Sequence, residues 1–339
     1  MEMTTRYGVA AIQTALPSAT TKEQVAANLE RAISMVDMAM EGCGLYGHPI
    51  KLVVFPEIFI HGFPYHSNQE YIDNEIYALI PDGPEIKALT EVAKKYDIYI
   101  QAGSMFEYDP KYPAHIFNTA CLVGPEGLVL KYRKVNPWIP AESGTSPLQI
   151  EGYNEELFPV ADTPIGKIGV LICYDIMFPE NIRQLVFNGT EVLIRNSAYM
   201  HPFVSSGPMN WWRTMSQARS MENIVYGIHC NQGASLKDIP PFSFPGGSCI
   251  VDFEGRVLSE VCESGEHIVY GHIDLESLRA WRSQSYQHAM LGHLRTEAYT
   301  YLKNPIFPSG THGPSKPLTL DDNIELTNSG RKNCSYIKP

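Results

Sequence analysis

Short apolar runs that stop abruptly at polar residues constrain the fold of this chain more than any other feature. Lys51 to Phe55 is one, broken by Pro56-Glu57, and Ile168 to Ile172 is another, ending at Cys173. Runs without polar alternation fit strands covered on both faces, as in mostly parallel sheets flanked by helices. The intervening segments read as those helices. Thr21 and Gln24 form a capping box ahead of Val25, Leu29, Ile33, Val36 and Met40, which predicts a helix with one apolar face. Pro84 to Lys95 and Pro179 to Phe187 each open with proline at the first helical position.

Tyr7 to Thr14, Ile98 to Phe106, Glu191 to Arg195 and Val225 to Cys230 add strands, and Met209 to Asn223 an aromatic-rich helix. The β–α alternation pauses twice. Ala120 to Val123 and Leu128 to Tyr132 flank Pro125-Glu126-Gly127, and Cys249 to Phe253 and Arg256 to Val261 flank Glu254-Gly255. Both are antiparallel hairpin patterns with a glycine turn, and their echo suggests a pseudo-repeated α/β half. No linker divides residues 1–303, which read as one domain. Residues 304–339 are rich in Pro, Gly, Ser, Thr and Asn without periodicity and read as an arm or a disordered tail.

With 339 residues, 44% of them hydrophobic and 19% charged, the chain has enough material for a large core. A net charge of -11 and no long Lys/Arg run argue against nucleic acid as a partner, because phosphate binding needs clustered cations. No apolar stretch reaches bilayer-spanning length and Met1 to Gly8 lacks a leader pattern, so no membrane association is expected and a cytoplasmic location is. The seven cysteines form no CxxC pair, which suggests neither a disulfide framework nor a zinc site. Cys121, Cys230 and Cys249 lie inside β-like runs and read as small buried hydrophobes. Around His61 and His66 the spacing does not fit metal ligands, though these side chains could touch substrate.

Three predicted strand ends carry chemically useful groups: Glu57 after Phe55-Pro56, Lys134 after Tyr132-Arg133, and Cys173 after Leu171-Ile172. Sites in α/β sheets gather at the carboxyl ends of strands. A thiol attacks a carbonyl as thiolate and needs a base; the oxyanion that forms needs a cation or amide donors. Glu, Lys and Cys supply these roles without histidine, and no GxSxG elbow is present. Taken singly, the three read as a capping carboxylate, a solvated lysine and an inert core thiol; their joint placement favours chemistry. Asp175 reads as fixing the turn after Cys173.

These segments resemble the nitrilase superfamily of carbon-nitrogen hydrolases, with Glu in F-P-E, Lys in R-K and Cys in I-C-x-D contexts, in that order, across roughly Tyr7 to Trp281. The resemblance implies a four-layer α-β-β-α sandwich and a homodimer or larger assembly whose tail wraps a neighbour. It makes Glu57 the general base, Cys173 the nucleophile, and Lys134 with the backbone N–H of Tyr174 the oxyanion holders, with no metal or cofactor. Glu142, eight residues past Lys134, resembles a second glutamate that orients substrate or water. Trp138, Tyr65, Tyr174 and Tyr199 are candidate substrate contacts, whereas Trp211 and Trp212 read as core or interface residues.

The implied reaction is hydrolysis of a small-molecule amide to acid and ammonia through a cysteine thioester. The Pro137-Trp138 and Glu142 context is similar to aliphatic amidases and formamidases. A nitrile substrate is the alternative. So is an N-carbamoyl compound, with Arg195 or Arg213 meeting its carboxylate, and a non-catalytic homologue is a further one.

Overall fold

The computed structural model describes residues 4–42, 47–62, 67–139, 142–200, 210–233, 244–284 and 287–334. Strand β1 (Arg6–Gln13) leads to helix α1 (Lys22–Gly42). The start of α1 is tied by its cap: Thr21 Oγ1 accepts from the Gln24 N–H at 3.3 Å. The Gln24 side chain returns to the N–H of Thr20 at 2.7 Å, one residue earlier than a Thr21–Gln24 box would place it. Val25, Leu29, Ala32, Val36 and Ala39 are its buried face. Then follow β2 (Ile50–Val54), α2 (Asn68–Asp73), α3 (Pro84–Tyr96), β3 (Tyr99–Tyr108), β4 (Ile116–Gly124) and β5 (Gly127–Arg133).

The second half, which starts after a sixth strand, repeats this plan. Strand β6 (Val160–Thr163) precedes β7 (Gly166–Ile172), α4 (Pro179–Phe187), β8 (Val192–Ser197), α5 (Asn210–Asn223), β9 (Tyr226–Asn231), β10 (Cys249–Val251) and β11 (Val257–Glu260). Strand β12 (His267–Asp274) and α6 (Leu275–Gln284) follow. One sheet has the order β12-β1-β2-β3-β4-β5 and the other β11-β10-β9-β8-β7-β6. In each, three parallel strands are flanked by two antiparallel strands on one side and one on the other. The expected hairpins are β4–β5 and β10–β11. The last strand of each half is exchanged: β6 follows β5 but pairs with β7, and β12 follows β11 but pairs with β1. Neither sheet is complete without a strand from the other half.

Strand alternation sorts side chains into layers. Val9, Ala11, Leu52 and Val54 share one core with Val170, Ile172, Ile194 and Ile228 of the facing sheet. Ala10, Ile12, Val53 and Ile100 point the other way, onto Leu29 and Val36 of α1 and Leu89 of α3. Ile182 and Leu185 of α4 and Leu275 and Leu278 of α6 belong to the sheet–sheet cluster's outer side. The result is the four-layer α-β-β-α sandwich that the resemblance implied. Among the described residues no helix is long and apolar enough to cross a membrane.

Within residues 304–339 the structure has helix α7 (Leu320–Asn333). Thr319 caps it, accepting from the Asp322 N–H at 3.1 Å while Asp322 accepts from the Thr319 N–H at 2.9 Å. Asp replaces the usual Glu or Gln of a capping box, and few apolar residues follow, so the periodic signal is weak. The segment before α7 lies along its own chain: Glu151 N–H donates to His312 O at 2.8 Å and Gly310 N–H to Leu148 O at 2.8 Å.

Candidate active site

Glu57, Lys134 and Cys173 converge from different strands. Glu57 lies past β2, in a loop that runs against β3. Gly103 of β3 permits this approach, with φ +49° and its Cα so close that a Cβ would collide with the Pro56 carbonyl oxygen. Lys134 follows β5 and is held by its N–H to Asn118 O at 2.9 Å. Cys173 ends β7 with φ 46°, a left-handed conformation that costs a non-glycine residue about 1–2 kcal/mol.

Asp175 holds that turn. Its Oδ2 accepts from the Ile172 N–H at 3.1 Å and the Tyr132 hydroxyl at 2.8 Å, and its Oδ1 from the Asn136 N–H at 2.8 Å. This is the local backbone role the sequence suggested. Asn181 Nδ2 donates to the Asp175 carbonyl at 3.0 Å and ties the turn to α4.

Lys134 Nζ donates to Glu57 Oε1 at 2.7 Å and to Glu142 Oε2 at 2.6 Å, with all three residues buried. An ammonium has three N–H bonds, so one is left beside Cys173. Asn118, on β4, bridges the same carboxylates, its Nδ2 donating to Glu57 Oε1 at 2.9 Å and Glu142 Oε1 at 2.8 Å. The Ala198 N–H takes Glu57 Oε2 at 2.7 Å, and the Trp138 N–H takes Glu142 Oε2 at 2.7 Å. Asn118 escaped the sequence analysis. The signal was a lone amide inside the wholly buried strand Ile116–Gly124.

Burial opposes the Lys134 charge, but Glu142 and Glu57 outweigh it and hold the ammonium's pKa well above the ordinary lysine value. Burial, helped by Glu57 and opposed by Lys134 and Arg195, pushes the Cys173 thiol up to about 12. A thiol held this high needs a base before it can act as a nucleophile. Burial also pushes Asp175 up to about 7, against Lys134 and its hydrogen bonds.

These groups border a cavity of about 190 Å³, lined by Glu57, Lys134, Glu142 and Cys173 together with Trp138, Tyr174, Tyr199, Met177, Arg195 and Trp211. Tyr65 and His66 lie outside the described residues. His61 is fully buried against Phe106 and does not line the cavity. The two tryptophans differ. Trp212 is buried as expected, donating to Gly247 O at 2.7 Å, but Trp211 is 68% exposed and reaches the cavity rim. Adjacent helix residues point about 100° apart, and here the face that carries Trp212 is covered while the face that carries Trp211 is not. Of the two arginines, Arg195 lines the cavity, while Arg213 lies at the surface 3.2 Å from Glu260.

A carboxylate–lysine–carboxylate array thus borders the same cavity as a strand-end thiol. The family model for carbon-nitrogen hydrolases matches residues 8–283, and the chain belongs to that family, within the nitrilase superfamily. Its relatives put it in the amidase and formamidase branch. A formamidase of a Bradyrhizobium species is 31% identical over 251 residues, 73% of this chain and 66% of the relative. The Saccharomyces cerevisiae omega-amidase Nit3 is 31% identical over 259 residues, 76% of this chain and 84% of that protein. The crystal structure of yeast Nit3 superposes with a TM-score of 0.69 at 28% identity, covering 84% of this chain and 96% of that one. A Helicobacter pylori carbon-nitrogen hydrolase shares the fold at a TM-score of 0.72 and 21% identity.

Proposed function

We propose that the protein hydrolyses a small-molecule amide to a carboxylic acid and ammonia through a thioester on Cys173. The observation that carries this is the Lys134 ammonium, bound to Glu57 and Glu142 with one N–H left beside the thiol. Glu57 takes the Cys173 proton as sulfur bonds to the amide carbon, whose oxygen becomes an oxyanion. Lys134 and the Tyr174 N–H hold that oxyanion. The C–N bond then breaks and ammonia leaves with the proton from Glu57. A water that gives its proton to Glu57 attacks the thioester, releasing the acid and restoring the thiol. Glu142 fixes Lys134 and, with Trp138, Tyr174 and Tyr199, orients the substrate; Tyr65 is assigned the same role from its sequence position.

Two wider features belong to this reading. Phe187 on α4, Met221 on α5 and Trp281 on α6 are exposed apolar residues on the helices over the second sheet, which supports a homodimer or larger assembly through that face. The described cysteines are all free thiols, which supports work in the cytoplasm. Residues 1–303 act as the catalytic unit and 304–339 as its arm.

The test is ammonia release from short amides, N-carbamoyl amino acids and the matching nitriles, with wild type and Cys173→Ala. Release from amides by wild type alone, with an acyl adduct on the Cys173 peptide in quenched samples, supports the proposal. Release from nitriles alone makes the protein a nitrilase, and from carbamoyl compounds alone a carbamoylase. No release from any of them by folded wild type overturns catalysis of this kind.

A further inference from the structure

We propose that Gln232 is a positioning residue for the base: its side-chain amide fixes the main chain of Glu57 from the opposite sheet. This rests on the reading above, in which Glu57 takes the Cys173 proton. Gln232 directly follows β9 and is buried. Its Nε2 donates to the Glu57 carbonyl at 2.6 Å, across 175 residues of sequence. Among the described residues no backbone N–H reaches that carbonyl. A buried carbonyl without a donor is unfavourable, so this side chain supplies what the local backbone does not.

The segment that Gln232 holds is one that local forces alone would not keep in place. Ile58, next to Glu57, has φ 46°, a left-handed conformation that a β-branched residue rarely adopts. Such a conformation persists only where the surrounding contacts over-determine it. Two buried side chains do so here, one on each side of the Glu57–Ile58 peptide. Gln232 takes its carbonyl, and Ser104 Oγ accepts from its N–H at 2.9 Å. Because the peptide is planar, holding both sides fixes its orientation, and with it the direction in which the Glu57 side chain leaves the backbone. Gln232 also supports the far end of the base. Its own N–H donates to the Ser197 carbonyl at 3.0 Å, and the N–H of that same Ser197–Ala198 peptide donates to Glu57 Oε2 at 2.7 Å. Hydrogen bonds in series through one peptide polarise each other. Changing the side chain of Gln232 removes the contact to the Glu57 carbonyl and leaves the second, which the backbone makes.

The competing explanation is that Gln232 only stabilises the fold by satisfying a buried carbonyl. Gln232→Met keeps the length of the side chain and removes the donor, whereas Gln232→Glu keeps the size and donates only while its carboxyl is protonated. Values of kcat and KM are measured for wild type and both variants from about pH 5 to 9, on the short amide that wild type turns over fastest, with circular dichroism confirming folded protein. A displaced base slows the chemical step without weakening binding. The kcat of Gln232→Met should therefore fall roughly 10- to 100-fold while KM changes less than about twofold. Taken as a ratio to wild type, the kcat of Gln232→Glu should be highest at the acid end and fall as pH rises, whereas the ratio for Gln232→Met stays flat. A role confined to folding predicts a lower unfolding temperature with the kcat of the folded enzyme unchanged. A kcat for folded Gln232→Met within about twofold of wild type, or a loss carried by KM instead, overturns the proposal and leaves the amidase reading intact. A Gln232→Glu ratio that is flat with pH overturns it whether or not Gln232→Met folds. No turnover of any amide by folded wild type removes the amidase reading and this one with it.

Discussion

As the proposed nucleophile, Cys173 depends on a partner rather than on its own acidity. With the thiol pushed up to about 12, almost none is thiolate near neutrality. Alkylation of Cys173 by iodoacetamide, followed on its peptide by mass spectrometry, should therefore climb about tenfold per pH unit through pH 9. A plateau below pH 8 would indicate a pre-formed thiolate and sink this account. Asn118 is the second residue to test. Asn118→Leu removes a donor shared by two buried carboxylates and should cut kcat/KM by roughly 10- to 100-fold, because Glu142 Oε1 loses its donor and Glu57 Oε1 keeps only Lys134. Unchanged kinetics would show that Lys134 alone suffices to hold Glu57 and Glu142.

Loops set by close backbone contact decide where these side chains sit. Gly103 of β3 is the clearest case: Gly103→Ala adds a Cβ against the Pro56 carbonyl in a left-handed conformation. It should destabilise the fold by about 3 kcal/mol in urea unfolding and shift Glu57, so activity falls as well. The turn after β7 carries a pH signature. Asp175 is pushed from 3.8 up to about 7, so the folded chain keeps a proton that the unfolded chain releases. Its stabilising contribution is whole below about pH 4 and is lost as pH rises through 7. The measured stability of wild type should carry this downward component between those values, and Asp175→Asn should remove it. Identical pH profiles for the two proteins would contradict the assignment.

The two halves exchange strands β6 and β12, so the molecule should unfold as a unit rather than half by half. The proposed assembly face lies on its outer helices. Met221→Glu, placing a charge on the exposed side of α5, should shift sedimentation of the protein toward the monomer; an unchanged sedimentation coefficient would move the interface elsewhere. Trp211 is a poorer choice for that experiment, because it also lines the cavity.

Much of this was legible along the chain. Unbroken apolar runs define covered strands, proline at the first helical position and local caps define helix starts, and Gly127 and Gly255 mark the hairpin turns, because each of these depends on neighbours within a few residues. Glu57, Lys134 and Cys173 could be picked out because each stands where a strand stops. Other features depend on what packs across space. Asn118 sits in mid-strand and acquires its role only when β4 passes beneath both glutamates. Trp211 and Trp212 have the same local context and separate only when α5 lies down on the sheet. The helix in the C-terminal arm is nearly silent in sequence because it buries few side chains. Arg195 could be offered from sequence as one of two arginines, but only the tertiary structure brings it to the cavity, with Nε and Nη1 buried and unpaired among the described residues, since pairing is decided by neighbours far away in the chain.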